Sequence, residues 1–154
     1  MATATIQPTP FPAASKSASG VVNNTLTTVT STSFSDKILL TVTSPASSNK
    51  LAHWVHVPLA PSANTMDPSF LSTSASGNPD TSLLPRTNLT ATTVLGGTKR
   101  EEEVIGQTLA TTIATAILMK RPTEERMLVL ASGLQGVLEK EGFEQVVGLM
   151  LRVL

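Results

Sequence analysis

The chain has 154 residues, with 11 basic and 11 acidic side chains, no net formal charge, and only 14% of its residues charged. That balance excludes a field able to steer nucleic acid, an anionic membrane or a charged substrate, and an aromatic content of 3% leaves few rings for stacking bases. Cysteine is absent, which excludes disulfides, thiolate nucleophiles and thiolate zinc sites and suits a reducing compartment.

Residues 1–16 are mostly Thr, Pro, Ala and Ser, with prolines at positions 8, 10 and 12. Such a segment buries too little apolar surface to offset its ordering entropy, so a flexible tail is expected, followed by one domain over 17–154. No basic stretch leads into an apolar core there, so no secretory signal is expected. The longest apolar run, Ile113 to Met119, is broken by Thr115 and falls far short of the roughly 20 residues that span a bilayer. The cytoplasm, with the nucleus, is the expected location.

From Gly20 to Phe34 the β-formers Val, Thr and Leu predominate. Two strands are expected with a turn at Asn23-Asn24, since Asn tolerates the left-handed conformation of tight turns. Lys37 to Thr43 and His53 to Leu59 read as the next strands, ended by Ser44-Pro45 and by Pro58 and Pro61. Their connections are too short for parallel crossovers, so an antiparallel meander is expected. Residues 61–90 are rich in Ser, Pro, Asn and Thr and read as a low-complexity inserted loop.

Ala91 to Leu95 reads as a strand stopped by Gly96-Gly97. Thr98 and Glu101 match a capping box, and Glu101 to Glu103 suit the positive end of a helix dipole. Ile105, Leu109, Thr112, Ile113, Ala116 and Ile117 recur at helical spacing until Pro122 forbids continuation. Met127 to Ala131 is a further strand. A last helix, starting between Gln135 and Gly142, carries the stripe Phe143, Val146, Val147, Met150 and Leu154.

The expected fold is therefore α+β: an antiparallel sheet of five to six strands with two helices on one face. Ile38-Leu39-Leu40 and Met127-Leu128-Val129-Leu130 do not alternate in polarity, so these strands read as buried on both faces. Two helices cover one face, and a second protein chain is the simplest cover for the other. The candidate partner-facing or sheet residues are Leu39, Leu40, Val42, Trp54, Val55, Val57, Leu128, Val129 and Leu130.

No catalytic, cofactor or metal site is expected. His53 and His56 are the sole histidines, and residues three apart on a strand point to opposite faces. Gly96-Gly97-Thr98-Lys99 lacks the P-loop order, and no serine has the context of a nucleophile elbow. The charged runs Lys99–Glu103 and Lys120–Arg126 read as solvated helix ends, with the rim of an interface as the functional alternative.

Three strings, Phe34-Ser-Asp-Lys-Ile-Leu-Leu-Thr-Val-Thr43, Thr92-Thr-Val-Leu-Gly-Gly97 and Arg126-Met-Leu-Val-Leu-Ala131, resemble the proteasome assembly chaperone 3 family. So does the terminal helix with Phe143, Val146, Val147, Met150 and Arg152-Val153. The resemblance covers about residues 20–60 and 91–154, and the Ser/Pro-rich insertion suggests a fungal-like version. It implies a sheet that dimerises through the face opposite its helices, with a sibling of the chaperone 4 type or with itself. It also implies binding of α-type subunits, notably alpha-5, during assembly of the 20S proteasome α-ring, with no catalysis and no cofactor. The reading from residues alone leaves a second class open, a small scaffold or adaptor module of another complex.

Overall fold

The computed structural model describes residues 13–45, 48, 50–60, 89–134 and 138–154. Eight elements follow in order: β1 (Ala14–Val22), β2 (Thr25–Ser33), β3 (Lys37–Thr43), β4 (His53–Pro58), β5 (Thr92–Leu95), α1 (Arg100–Lys120), β6 (Met127–Ser132) and α2 (Lys140–Val153). They form one six-stranded sheet in the order β1-β2-β3-β6-β4-β5, with α1 against β4 and β6 and α2 against β1 and β2. The α+β class is as expected.

The β1–β2 hairpin closes at Asn23-Asn24, whose φ angles of 46° and 62° make the mirror-image turn that matches strand twist. The nine-residue register from Ala14–Ser33 to Val22–Thr25 is unbroken. β1 therefore takes in residues 14–16, which composition had assigned to the tail. β2 and β3 continue the meander. The meander then stops, contrary to expectation. β6 inserts between β3 and β4, parallel to β3 and antiparallel to β4. The sheet is thus mostly antiparallel with one parallel pair at its centre. The crossover from β5 through α1 delivers β6 there, a long-range pairing that short connecting loops do not reveal. Of the expected loop at 61–90, only Leu89 and Thr90 lie within the described residues.

The anticipated capping box does not form. Lys99 is the N-cap of α1 and makes no side-chain cap bond, one residue beyond Thr98. An ion pair from Lys99 Nζ to Glu102 Oε1 at 3.5 Å lies at that turn instead. The buried side of α1 is broad, with Leu109, Ile113 and Ile117 joined by Ala110, Ala114 and Leu118, because both the sheet and α2 press on it. In α2, Val146, Val147, Leu149, Met150 and Val153 are buried.

Glycines 142 and 148 weaken α2, but they differ in surroundings. A Cβ on Gly142 would meet Asn23 Oδ1 at 2.5 Å, so this glycine admits the hairpin tip. Gly148 faces open space with nothing within 4 Å. Gly148→Ala is therefore expected to stabilise the chain by about 1 kcal/mol, read as a higher denaturation midpoint. A lower midpoint would show that the site is occupied.

The charged run after α1 is a clamp more than a solvated cap. Arg126 donates from Nε to Glu124 Oε1 and from Nη2 to Oε2, both at 2.7 Å. Its Nη1 reaches Ser33 Oγ at 2.7 Å and the Phe34 carbonyl at 2.9 Å. The fork thus ties the α1–β6 turn to the β2–β3 turn. The Glu124 side chain is only 8% exposed. Hydrogen bonding by Arg126, outweighing burial, lowers its carboxyl from 4.5 to about 2. A depressed acid adds stability that is present above 4.5 and lost as pH falls towards 2. Glu124→Gln is expected to cost about 1–2 kcal/mol at neutral pH and to flatten acid unfolding in that window. Equal midpoints at pH 7 for both proteins would remove the clamp from the stability account.

Candidate protein-binding face

Side chains alternate across a strand, so the register assigns each strand residue to a face. The rows Ser33–Ile38–Leu128–Val57 and Ser31–Leu40–Leu130–Val55 lie under the helices and belong to the continuous core with Leu109, Ile113, Val146 and Met150. Of the nine candidate residues, Leu40, Val42, Val55, Val57, Leu128 and Leu130 are in this core, each at most 1% exposed. β3 therefore alternates in burial after all, and only the central β6 is buried along nearly its whole length.

Leu39, Trp54 and Val129 are on the opposite face, which no described helix covers. Two register rows define it: Thr32–Leu39–Val129–His56–Thr92 and Thr30–Thr41–Ala131–Trp54–Leu95. Lys37, Met127 and Pro58 form the next row towards the end of the sheet. Val129 and Ala131 are buried among these neighbours at 6% and 0% exposure, yet neither belongs to the core beneath the helices. Leu39, Trp54 and His56 are half-buried, while Leu95 is 60% and Met127 38% exposed. Ala131, His56 and Met127 were absent from the candidates, although strand parity with Val129 and Trp54 carried the signal.

The face divides in two. Over β1 and β2 it is mostly hydroxyl, with cross-strand bonds from Ser15 to Thr32 at 3.4 Å and from Ser19 to Thr28 at 2.9 Å, except for the exposed pair Val21–Leu26 near the hairpin turn. Over β3, β6 and β4 it is apolar. The Trp54 indole donates to the Leu51 carbonyl at 3.1 Å, so its nitrogen is satisfied and its ring can serve as an apolar anchor. Such a surface suits contact with another protein.

His53 is under α1. A Cβ on Gly106 would meet the His53 ring atoms Cε1 and Nδ1 at 2.3 Å, and one on Gly97 would meet Nε2 at 2.9 Å. The Gln107 amide donates to Glu103 Oε1 and to Thr93 Oγ1, each at 3.2 Å. The Thr93 hydroxyl also lies within hydrogen-bond distance of His53 Nε2, 3.3 Å away, a bond in which either group can be the donor according to the ring tautomer. This chain of bonds fastens the short edge strand β5 to α1. The adjoining cavity, bounded by Glu102, Ile105 and Leu138 among others, has a volume of about 40 Å³, too small for a substrate. His53 and His56 do not come together, and no cluster of three metal-ligating side chains exists among the described residues. No described helix is long and apolar enough to cross a membrane.

Burial holds the His53 imidazole below its ordinary value of 6.5, against the pull of Glu103 and Glu102. Between those two values the unfolded chain binds more protons, so this contribution to stability is complete above 6.5 and is lost as pH falls through the folded value. His53→Gln is expected to reduce the fall in denaturation midpoint between pH 7.5 and 5.5. An unchanged fall would show that the ring is not the group responsible.

A larger hollow, about 450 Å³, opens on the helix side where both helices end, with Lys16, Lys120 and Arg121 on its rim. The carbonyl ends of the helices offset those charges, and Arg121 is already paired with Glu124 at 3.3 Å.

No family model and no curated protein matches the chain. Among solved structures it is similar to a chain in the crystal structure of a novel chaperone complex for yeast 20S proteasome assembly. The TM-score is 0.54 at 13% sequence identity, covering 90% of this chain and 97% of that one. The chain thus shares its fold, over nearly the whole length of both, with a component of a yeast proteasome assembly chaperone complex.

Proposed function

We propose that this chain is a non-enzymatic chaperone for assembly of the 20S proteasome α-ring, of the proteasome assembly chaperone 3 type. It pairs through its open sheet face with a second chaperone, a sibling of the chaperone 4 type or a copy of itself. The pair binds α-type subunits, notably alpha-5, in the cytoplasm and nucleus, and needs no cofactor. The observation that carries this reading is the fold likeness over 90% of the chain to a component of a proteasome assembly chaperone complex. The apolar rows around Leu39, Val129 and Trp54 support pairing as the mode of action, because burying them removes apolar surface from water.

The test is co-purification of the tagged chain followed by mass spectrometry. A second small chaperone and α-type subunits, without mature core particles, are expected. A stable monomer that retains no α-type subunit contradicts the proposal. Recovery of one unrelated complex would favour the scaffold class instead.

A further inference from the structure

The hollow where both helices end lies beside an open edge of the sheet. β1 is an outermost strand, paired along its nine residues with β2 and with no other described strand. The register puts Ala14, Lys16, Ala18 and Gly20 on the helix side, in the rows of Ser33, Ser31, Val29 and Thr27. α2 lies close over this strand at Gly20, where a Cβ would meet Leu149 Cδ2 at 2.8 Å. The end of α2, at Val153 and Leu154, borders the hollow together with Ala14 and Lys16, so the cover over β1 stops there. Ile38 and Val153 make the floor apolar.

The rim is charged with one sign. Lys16, Lys120 and Arg121 stand on it, and no described acid lines it. Lys16 and Lys120 are exposed and meet no carboxylate among the described residues. Each helix end brings about half a negative charge, so the two together offset about one of the three rim cations. Glu124 faces Arg121 and Arg126 at once, so one carboxylate answers two guanidinium groups and a positive surplus is left. The open strand edge adds a second kind of recognition. In a two-residue hairpin the flanking pair Val22–Thr25 exchanges both backbone bonds. Backbone direction alternates along a strand, so Lys16 and Ala18 turn their N–H and C=O groups to β2, while Ser17 and Ser19 turn theirs outward.

The geometry points to a peptide site: an extended acidic segment of a partner protein adds as a strand along the outer edge of β1 and puts carboxylate and apolar side chains, two residues apart, into the hollow. The backbone bonds supply affinity, and Lys16 and Lys120 select for acid. A free phosphate ion would meet the charges but leave the edge unused. The site is separate from the open sheet face and does not depend on the pairing proposed above.

Fluorescence anisotropy of the full chain with a labelled peptide of alternating Val and Glu gives the test, with a Val–Lys peptide and inorganic phosphate as comparisons. The Val–Glu peptide is expected to bind, at least about threefold more weakly in about 0.3 M than in about 0.05 M salt. Lys16→Glu is expected to weaken binding by about tenfold. Ser17→Pro removes an outward donor and keeps the ladder to β2, so it should abolish binding while circular dichroism stays that of the wild type. Equal binding of the Val–Lys peptide, or binding that survives Ser17→Pro in a folded chain, overturns the inference. Displacement of the peptide by millimolar phosphate overturns it too, in favour of a simple anion site. So do Ser17 and Ser19 amides already protected from hydrogen exchange in the chain alone, because the edge is then occupied by a segment of this chain or by a second copy. No binding at all refutes it and leaves Lys16 as a charge that keeps the edge from self-association.

Discussion

Leu40→Asp is expected to abolish folding, while Leu39→Asp is expected to leave the fold intact and abolish pairing. The two leucines are adjacent in sequence, equal in hydropathy and on the same strand. Leu40 is fully buried in the row Ser31–Leu40–Leu130–Val55 beneath the helices. A carboxylate there loses its hydration and gains no partner, at a cost of several kcal/mol. That takes most of the 5–15 kcal/mol by which such a domain is typically stable. Leu39 is half-buried on the opposite face, where a carboxylate in the free chain keeps water on one side. When a partner covers it, that water is lost and the charge is stranded, so the penalty falls on association. Circular dichroism and thermal unfolding should find no cooperative transition for Leu40→Asp and a transition near that of the wild type for Leu39→Asp. Size-exclusion chromatography of the co-purified material should show the partner lost from Leu39→Asp. Equal behaviour of the two variants, in either direction, would undo the assignment of faces.

Gly106→Ala should destabilise the chain although alanine is the better helix former. In an open helix position the change gains about 1 kcal/mol. Here the added Cβ would lie 2.3 Å from two atoms of the His53 ring. The ring has little room to retreat, since His53 is 7% exposed and bonded to Thr93. Relief requires moving α1 outward or breaking the chain from Glu103 through Gln107 and Thr93 to His53, for a net loss of about 1–3 kcal/mol. Replacing His53 by Ser in the same chain removes the obstacle. The double variant should therefore be more stable than the sum of the two single changes predicts, a coupling that a denaturation cycle measures directly. Additive changes would mean that α1 and β4 stand further apart. The contrast with Gly148, where the same substitution meets nothing, separates helix propensity from packing.

Much of the fold was legible because its signals are local. The paired asparagines predicted a turn, and both adopt positive φ. The spacing from Ile105 to Ile117 and the stop at Pro122 located α1, and strand parity put His53 and His56 on opposite faces. The capping box failed because α1 starts one residue later, with Lys99 as an N-cap that makes no side-chain cap bond, after a Gly96-Gly97 turn with φ of 76° and 67°. That Gly106 makes room for the His53 ring is visible only in the folded chain. The clamp from Arg126 to Glu124, Ser33 and Phe34 joins residues up to 93 positions apart, beyond the reach of any window of sequence.

The candidate face was half legible. The unbroken apolar runs pooled Leu39 and Val129 with Leu40, Leu128 and Leu130; strand parity divides them into two faces, but it does not say which set the helices cover. The sequence by itself determined the elements, their apolar stripes and the poverty of reactive side chains, because each depends on residues a few positions apart. Only the tertiary structure decided that β6 enters between β3 and β4, that both helices lie over Leu40 and Leu130, and that Leu39, Val129, Trp54 and His56 are left together on the other side. Those outcomes depend on contacts between distant segments, where the energy of burying one face competes with that of burying the other, and no local pattern records which one wins.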